Sequence, residues 1–375
     1  MHLMIIPTMG CPSNCRYCWS SEVNSKIMSK DTMDNIVNWM KNFGTDPVTF
    51  TFHGGEPLLA GYDYFEYALK KISEELNFLH PAFAIQTNLW CMNSKIANLF
   101  KKYDIPIGSS LDGPKNINDI QRGNGYFDKT MNGYKIATDA GLSVSFISTF
   151  TSYSIKYKED IFNFFKDNKL NMKLHPALSS IKDDNSEPCV LSPEDYGKLL
   201  CYLLDEYLDC ADEVELKNLD HLCKGVFLNR GLVCTHVDCM GDTFAIGPDG
   251  NIYPCYRFVS MEDYVIGNVS DFPSMEELQK SKALLLLNEY KSFVDENCSD
   301  CKHIKYCRGG CPYNAITLSD GVVNRVDPHC EAYMKIFDEI SSQLNSSLDF
   351  SFGFSNNETP YEKKHKFSVM DIALK

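Results

Sequence analysis

His2-Leu-Met-Ile-Ile-Pro-Thr-Met-Gly-Cys11-Pro-Ser-Asn-Cys15-Arg-Tyr-Cys18 joins a short apolar run to a loop holding three cysteines at C-x3-C-x2-C. The run His2–Ile6 predicts a buried strand, and Pro7, Gly10 and Pro12 predict its loop. Three thiolates at this spacing can hold three irons of a [4Fe–4S] cluster and leave a fourth iron open. Three free cysteines, or a zinc site completed by His53, are the alternatives. Loops after barrel strands build active sites at the C-terminal face, so the location favours the cluster.

Outward from this loop, strand and helix patterns alternate. Ser29 opens a helical stripe of Met33, Ile36, Val37 and Met40, closed by Gly44. Val48–Phe52 predicts a second strand ending at Gly54-Gly55, followed by a helix over Tyr62–Leu79. Strands are expected at Phe83–Gln86, Ile105–Leu111, Leu142–Phe150 and Asn171–His175. Helices are expected around Ile96–Tyr103, Asp128–Ala140 and Lys158–Asp167. Six such strands imply parallel βαβ units, too few for an eight-unit barrel, so the fold class is α/β with a partial (β/α)6 barrel. A further helix over Pro193–Asp209 ends this region, and a cysteine-rich stretch follows from Cys234 to Cys330.

The whole chain has 375 residues, 44 % of them hydrophobic, enough for a sizeable core. Sixteen cysteines are too few for a disulfide scaffold but too clustered for ordinary core use, four falling between Cys298 and Cys311. Fifty acidic against 36 basic side chains give a net charge of −14, which argues against nucleic acid or an anionic membrane as partner. The N-terminus lacks a signal-peptide pattern and no apolar run is long enough to span a bilayer, so a cytoplasmic location is expected. There, clustered thiols bind metal or do chemistry.

His53-Gly-Gly-Glu-Pro57 closes the second strand. Glycines permit close backbone approach, Glu56 offers a carboxylate and Pro57 suits a first helical position, although a plain strand-to-helix turn would look the same. Together with the cysteines this resembles the radical S-adenosylmethionine (SAM) superfamily. Its signature is C-x3-C-x-aromatic-C, with Tyr17 in the aromatic slot, and its second-strand motif is Gly-Gly-Glu-Pro. Gln86-Thr-Asn88 looks like the family's Gln-Thr-Asn-Gly with Leu89 in place of glycine, and Ser110-Leu-Asp-Gly-Pro114 with Arg122 is similar to its peptide-modifying branch. The resemblance implies reductive cleavage of SAM to a 5′-deoxyadenosyl radical. It places Cys11, Cys15 and Cys18 on the cluster. It also places Tyr17, Gly54, Gly55, Glu56, Asn88, Ser110 and Arg122 around SAM, with Glu56 on the ammonium and Arg122 or Ser110 on the carboxylate.

The later cysteines, Cys234, Cys239, Cys255, Cys298, Cys301, Cys307, Cys311 and Cys330, could hold two clusters or two zincs by spacing alone. The order Gly250-x4-Cys255, then C-x2-C-x5-C-x3-C, then a lone Cys resembles the SPASM domain, which carries two auxiliary [4Fe–4S] clusters. That resemblance implies Cys234, Cys239, Cys255 and Cys311 for the first, and Cys298, Cys301, Cys307 and Cys330 for the second. If Cys234 does not bind, the first auxiliary cluster keeps an open iron. The expected domains are 1–225 (core 1–180), 226–344, and a polar C-terminal tail over 345–375, in which Phe350, Phe352 and Phe354 could pair as an edge strand.

The resemblance implies a peptide or protein substrate, oxidatively modified after hydrogen abstraction, and an electron donor such as flavodoxin or ferredoxin. The layout is similar to anaerobic sulfatase-maturating enzymes. That family, however, has an acidic general base directly after the Gly-x4-Cys cysteine, where this chain has Tyr256. With Cys11 ten residues from Met1, no leader-binding domain is expected ahead of the barrel, and a separate leader-peptide-binding protein is one expected route to recognition. His53 and Tyr256 are candidate substrate-facing residues, with packing the alternative for each. A non-enzymatic iron–sulfur or zinc protein is the reading from another class.

Overall fold

The computed structural model describes residues 1–19, 26–43, 45–181, 187–317, 321–352 and 365–375, without the side chains of 187 and 346–352. Gly44, expected to close a helix, and Phe354 lie outside these residues. The six expected strands are β1 (His2–Thr8), β2 (Thr49–Gly54), β3 (Ala82–Gln86), β4 (Ile107–Ser110), β5 (Val144–Phe150) and β6 (Met172–Pro176). Helices intervene between them, as in a partial (β/α)6 barrel. Three further short strands follow: β7 (Thr243–Ile246), β8 (Asn251–Tyr253) and β9 (Gly267–Asn268).

The chain divides into two compact units. The first comprises 1–111, 115–146 and 239–289; the second comprises 112–114, 147–238 and 290–375. The first unit is built on the strand order β4-β3-β2-β1-β7-β8-β9. β1 sits inside it, parallel to β2 with His2 opposite Thr49 and parallel to β7 with His2 opposite Thr243. Its apolar run is explained by this position: Leu3, Ile5 and Ile6 have no exposed surface because covered parallel strands have no solvent face. β8 then pairs antiparallel with both β7 and β9, closing the order.

Local rules account for most helices. Ser29 Oγ accepts the Thr32 N–H at 3.0 Å, and the helix Lys30–Phe43 buries Met33, Ile36, Val37 and Met40 as their spacing requires. Asn93 caps Ser94–Lys102 through the N–H groups of Lys95 and Ile96. The helix expected over Tyr62–Leu79 stops at Glu75 and continues as a 3-10 turn over Asn77–Leu79, where His80 takes a left-handed φ of 44°. The helix Lys115–Arg122 carries no apolar stripe, since three of its four buried residues are Asn118, Gln121 and Arg122.

The second unit holds β6 and the helices Pro193–Tyr207, Lys217–Leu228 and Cys330–Phe352. The helix Cys330–Phe352 includes Phe350 and Phe352, so the edge strand proposed for them is not formed. The end of the chain is not a solvated tail either. A helix over Val369–Ala373 buries Val369, Ile372 and Ala373, and Ser368 caps it with Asp371. His365 meets Asp205 at 3.1 Å and Asp209 at 3.2 Å, and Lys366 meets Asp212 at 2.7 Å. Polar composition hid three apolar anchors spaced for one helical face. Among the described residues no helix is long and apolar enough to cross a membrane.

Candidate active site

In the first unit the cysteine loop follows β1, and two neighbouring strand ends hold it. Gly55 N–H donates to Thr8 O at 3.0 Å and Glu56 N–H to Gly10 O at 2.8 Å. Gly54 adopts φ +127°, and a Cβ on Gly55 would stand 2.2 Å from Met9 O and 2.3 Å from Gly10 O. The two glycines thus bring the β2 loop against the backbone of the cysteine loop itself. Arg16 N–H donates to Gln121 O at 2.9 Å, tying the far side of the loop to the helix Lys115–Arg122.

The Cys11 thiol is pushed up to about 12, first by burial and further by Glu56, Cys15 and Cys18, whose negative forms all lie near it. Ser13 Oγ lies 3.1 Å from Cys15 Sγ, and Asn88 Nδ2 donates to Cys11 Sγ at 3.9 Å. A buried thiol that resists ionisation, with two more thiols beside it, suits a positively charged group able to hold it as a thiolate. Among the described residues no three His, Cys, Asp or Glu side chains are grouped as a single metal ion requires. An iron–sulfur cluster asks something different, since each thiolate binds a separate iron and no single ion gathers three of them.

Glu56 has no exposed surface, and burial raises its carboxyl to about 7 against the pull of three hydrogen bonds. Oε1 accepts from Thr87 Oγ1 at 2.6 Å and Leu58 N–H at 2.9 Å; Oε2 accepts from Asn88 N–H at 2.7 Å. This carboxylate therefore ties the β2 loop to the loop after β3. Leu89, standing where glycine was expected, takes that residue's left-handed φ of 67° and has no exposed surface. Its N–H donates to Thr87 Oγ1 at 3.0 Å.

Arg122 is 5 % exposed, with its guanidinium 5.4 Å from the Tyr17 ring and 5.2 Å from the Tyr126 ring. Ser110 Oγ accepts from Gln86 Nε2 at 3.3 Å. The structure thus gathers Tyr17 with Arg122, and Cys11 with Glu56 and Asn88. Sequence reasoning missed Thr87 and Tyr126, although Thr87 stood inside the Gln-Thr-Asn segment.

Tyr256 also belongs here. Its hydroxyl donates to Gly54 O at 2.8 Å, and its ring lies 4.0 Å from His53 and 5.3 Å from Trp19. His53 Nδ1 accepts the Gly54 N–H at 2.8 Å, which leaves the proton of the neutral ring on Nε2. Burial lowers His53 to about 4. The Gly54 backbone is consequently held at both its N–H and its carbonyl, and neither side chain is set up as a base.

In the second unit Cys298, Cys301, Cys307 and Cys330 come together. Cys307 is pushed up to about 12, by burial first and then by Cys330 and Cys301; Cys330 is raised by burial and by Cys298 and Cys301. Cys301 N–H donates to Cys298 O at 3.0 Å, and His236 Nδ1 meets Cys307 O at 3.0 Å. Burial lowers His236 to about 4 and keeps it neutral. Cys239 and Cys255 lie in the first unit and Cys311 in the second, which also holds the exposed Cys234.

Residues 5–165 match the Radical SAM superfamily sequence profile, and residues 234–302 match SPASM, an iron–sulfur cluster-binding domain. A protein of Methanothermobacter thermautotrophicus is 59 % identical over 231 residues, 62 % of this chain and 88 % of that one. A cysteine-type anaerobic sulfatase-maturating enzyme of Clostridium perfringens is 25 % identical, covering 90 % of this chain and 95 % of its own. Its counterpart in Clostridium novyi is 27 % identical over 92 % and 96 %. Among solved structures, native anSMEcpe with bound AdoMet and Cp18Cys peptide overlays with a TM-score of 0.82 at 23 % identity, covering 93 % and 99 %. Streptococcus suis SuiB bound to precursor peptide SuiA overlays at 0.63 and 18 % identity, covering 88 % and 75 %. These overlays show a shared fold.

Proposed function

We propose, on the premise that this chain belongs to the radical SAM superfamily and carries a SPASM domain, that it oxidatively modifies a peptide or protein substrate. Its cofactors are SAM and [4Fe–4S] clusters. When bound, they supply a 5′-deoxyadenosyl radical able to take hydrogen from an unactivated carbon. Cys11, Cys15 and Cys18 would hold the SAM-site cluster; the eight later cysteines would hold two auxiliary ones, divided as the resemblance to the SPASM domain implies.

The chain's own residues set the conditions for that chemistry. The Gly54–Glu56 backbone, fixed to Thr8, Gly10, His53 and Tyr256, gives the cysteine loop a rigid wall. Glu56 is committed to Thr87, Leu58 and Asn88, so its part toward SAM is to orient Asn88 and the loop edges as much as to carry charge. Arg122, backed by two aromatic rings, is a cation suited to a carboxylate.

The observation that carries the choice of reaction is Tyr256, directly after Cys255, with its hydroxyl donating to Gly54 O. A phenol already spent as a donor, beside a neutral His53, favours a modification that needs no strong base at this position. A cross-link formed with net loss of two hydrogens from the substrate fits. Formylglycine formation is the second reading, supported by end-to-end similarity to the clostridial enzymes. The test is anaerobic incubation of reconstituted protein with SAM, dithionite and two substrates. One is a cysteine peptide from a sulfatase; the other is a short peptide encoded beside the gene. Mass spectrometry showing loss of two hydrogens in the second peptide supports the proposal. Loss of two hydrogens together with exchange of sulfur for oxygen in the first supports formylglycine formation instead. Absence of 5′-deoxyadenosine in both reactions defeats both readings.

A further inference from the structure

Asp327 has no exposed surface and lies in the second unit between Cys311 and Cys330. Its carboxylate faces two ways. Oδ2 accepts from the Cys311 N–H at 2.8 Å, from Asn314 Nδ2 at 2.9 Å and from the Tyr333 hydroxyl at 3.4 Å. Oδ1 accepts from the His329 N–H at 2.9 Å and lies 3.1 Å from His329 Nδ1. The same residue is anchored through its backbone: its N–H donates to the Tyr290 hydroxyl at 3.2 Å, and its carbonyl accepts the Cys330 N–H at 3.0 Å. Tyr290 in turn donates to Gly309 O at 2.6 Å. The approach is close enough to exclude a side chain at Gly310, where φ is +83° and a Cβ would stand 2.4 Å from Asp327 Cβ.

A buried carboxylate is costly unless its oxygens are filled, and here the partners Cys311, Asn314, His329 and Tyr333 lie on one of two cysteine-bearing segments or on the helices behind them. We propose that Asp327 is a positioning residue that locks the Gly309–Cys311 loop and the turn entering Cys330 into one body. One carboxylate would then set the placement of cysteines belonging to both auxiliary clusters. The inference rests on the assignment of Cys311 and Cys330 to different clusters. Its chemistry is specific to a carboxylate, because both oxygens accept. An amide offers one acceptor and one NH2 group, and the NH2 set against either the Cys311 or the His329 N–H opposes donor to donor. Asp327→Asn must therefore release one of the two segments, although its size is unchanged.

The experiment compares anaerobically reconstituted full-length wild type, Asp327→Asn and the milder Asn314→Ala. It measures iron per chain, circular dichroism, and electron paramagnetic resonance of the dithionite-reduced protein with and without SAM. Only the SAM-site cluster changes its signal when SAM is added, which makes it the internal control. Wild type should hold about twelve irons. Asp327→Asn should lose at least a third of them together with an auxiliary signal, keeping the SAM-sensitive signal and the dichroism. Asn314→Ala should keep its iron but alter the auxiliary signal. Wild-type iron and superimposable auxiliary spectra in Asp327→Asn would overturn the proposal. So would loss of all signals in Asp327→Asn alongside unchanged auxiliary spectra in Asn314→Ala. A wild-type chain holding about four irons, or zinc in the remainder, would instead overturn the ligand assignment beneath it.

Discussion

Replacing Gly55 by alanine tests whether the contact between the β2 loop and the cysteine loop positions the SAM site. The added Cβ would stand 2.2 Å from Met9 O, whereas real Cβ contacts essentially never fall below 3.0 Å, so 3.0 − 2.2 = 0.8 Å of separation must be created. Both obstructing atoms, Met9 O and Gly10 O, are backbone, so no side-chain rotation relieves the clash. The movement falls either on Met9–Gly10, directly before Cys11, or on Gly55–Glu56 and the carboxylate bonded to Thr87 and Asn88. Overpacking of this kind costs about 1–3 kcal/mol in stability. A misplacement near 1 Å in a positioned reaction costs about 100-fold in rate. Gly55→Ala should therefore fold and retain its auxiliary iron, while 5′-deoxyadenosine formation drops about 100-fold. The assay follows 5′-deoxyadenosine by chromatography under anaerobic conditions with SAM and dithionite, beside iron content and thermal unfolding. Gly61→Ala is the control for backbone strain without a clash, since at φ +79° its Cβ is disfavoured by the backbone but would meet nothing within 4 Å. Gly55→Ala cleaving SAM within about threefold of wild type, a barrier change of only ~0.7 kcal/mol, would refute the reasoning.

Three further predictions follow from other contacts. Tyr256→Phe removes one hydrogen bond and should cost about 0.5–1.5 kcal/mol in stability while leaving the shape of the pH–rate profile intact; loss of one limb of that profile would make Tyr256 a base after all. Glu56 has a folded value of about 7 against an ordinary 4.5, so the native state holds the extra proton between them. Its contribution to stability is full below about 4.5 and is lost as pH rises through 7, on the order of 3 kcal/mol. Urea unfolding in one cofactor state should show wild type losing more stability from pH 5 to 8 than Glu56→Gln; equal slopes would contradict the assignment. Ile372→Ala, in the helix near the C-terminus, should cost about 2–5 kcal/mol and lower the melting temperature. A solvated tail would give no change.

Much of the fold was legible because it rests on local rules. Parallel strands covered on both faces read as apolar runs, and amphipathic helices read as stripes, so β1 to β6 and their helices fell close to expectation. The helix Lys115–Arg122 was invisible because it buries Asn118, Gln121 and Arg122, whose burial depends on partners and not on polarity. The terminal helix was hidden by a polar setting. Its three apolar anchors gain meaning only against the helices they cover.

The sequence by itself determined the cysteine spacings, the Gly-Gly-Glu-Pro segment and the alternation of strands and helices, because each is a relation between near neighbours. Only the tertiary structure decided what those residues are committed to. Tyr256 reaches Gly54 across 202 positions, Glu56 reaches Thr87 across 31, and Asp327 joins Cys311 and Cys330. Each of these bonds ends on a backbone group or a common hydroxyl at one side. Such partners leave no residue-type signature, so geometry alone identifies them.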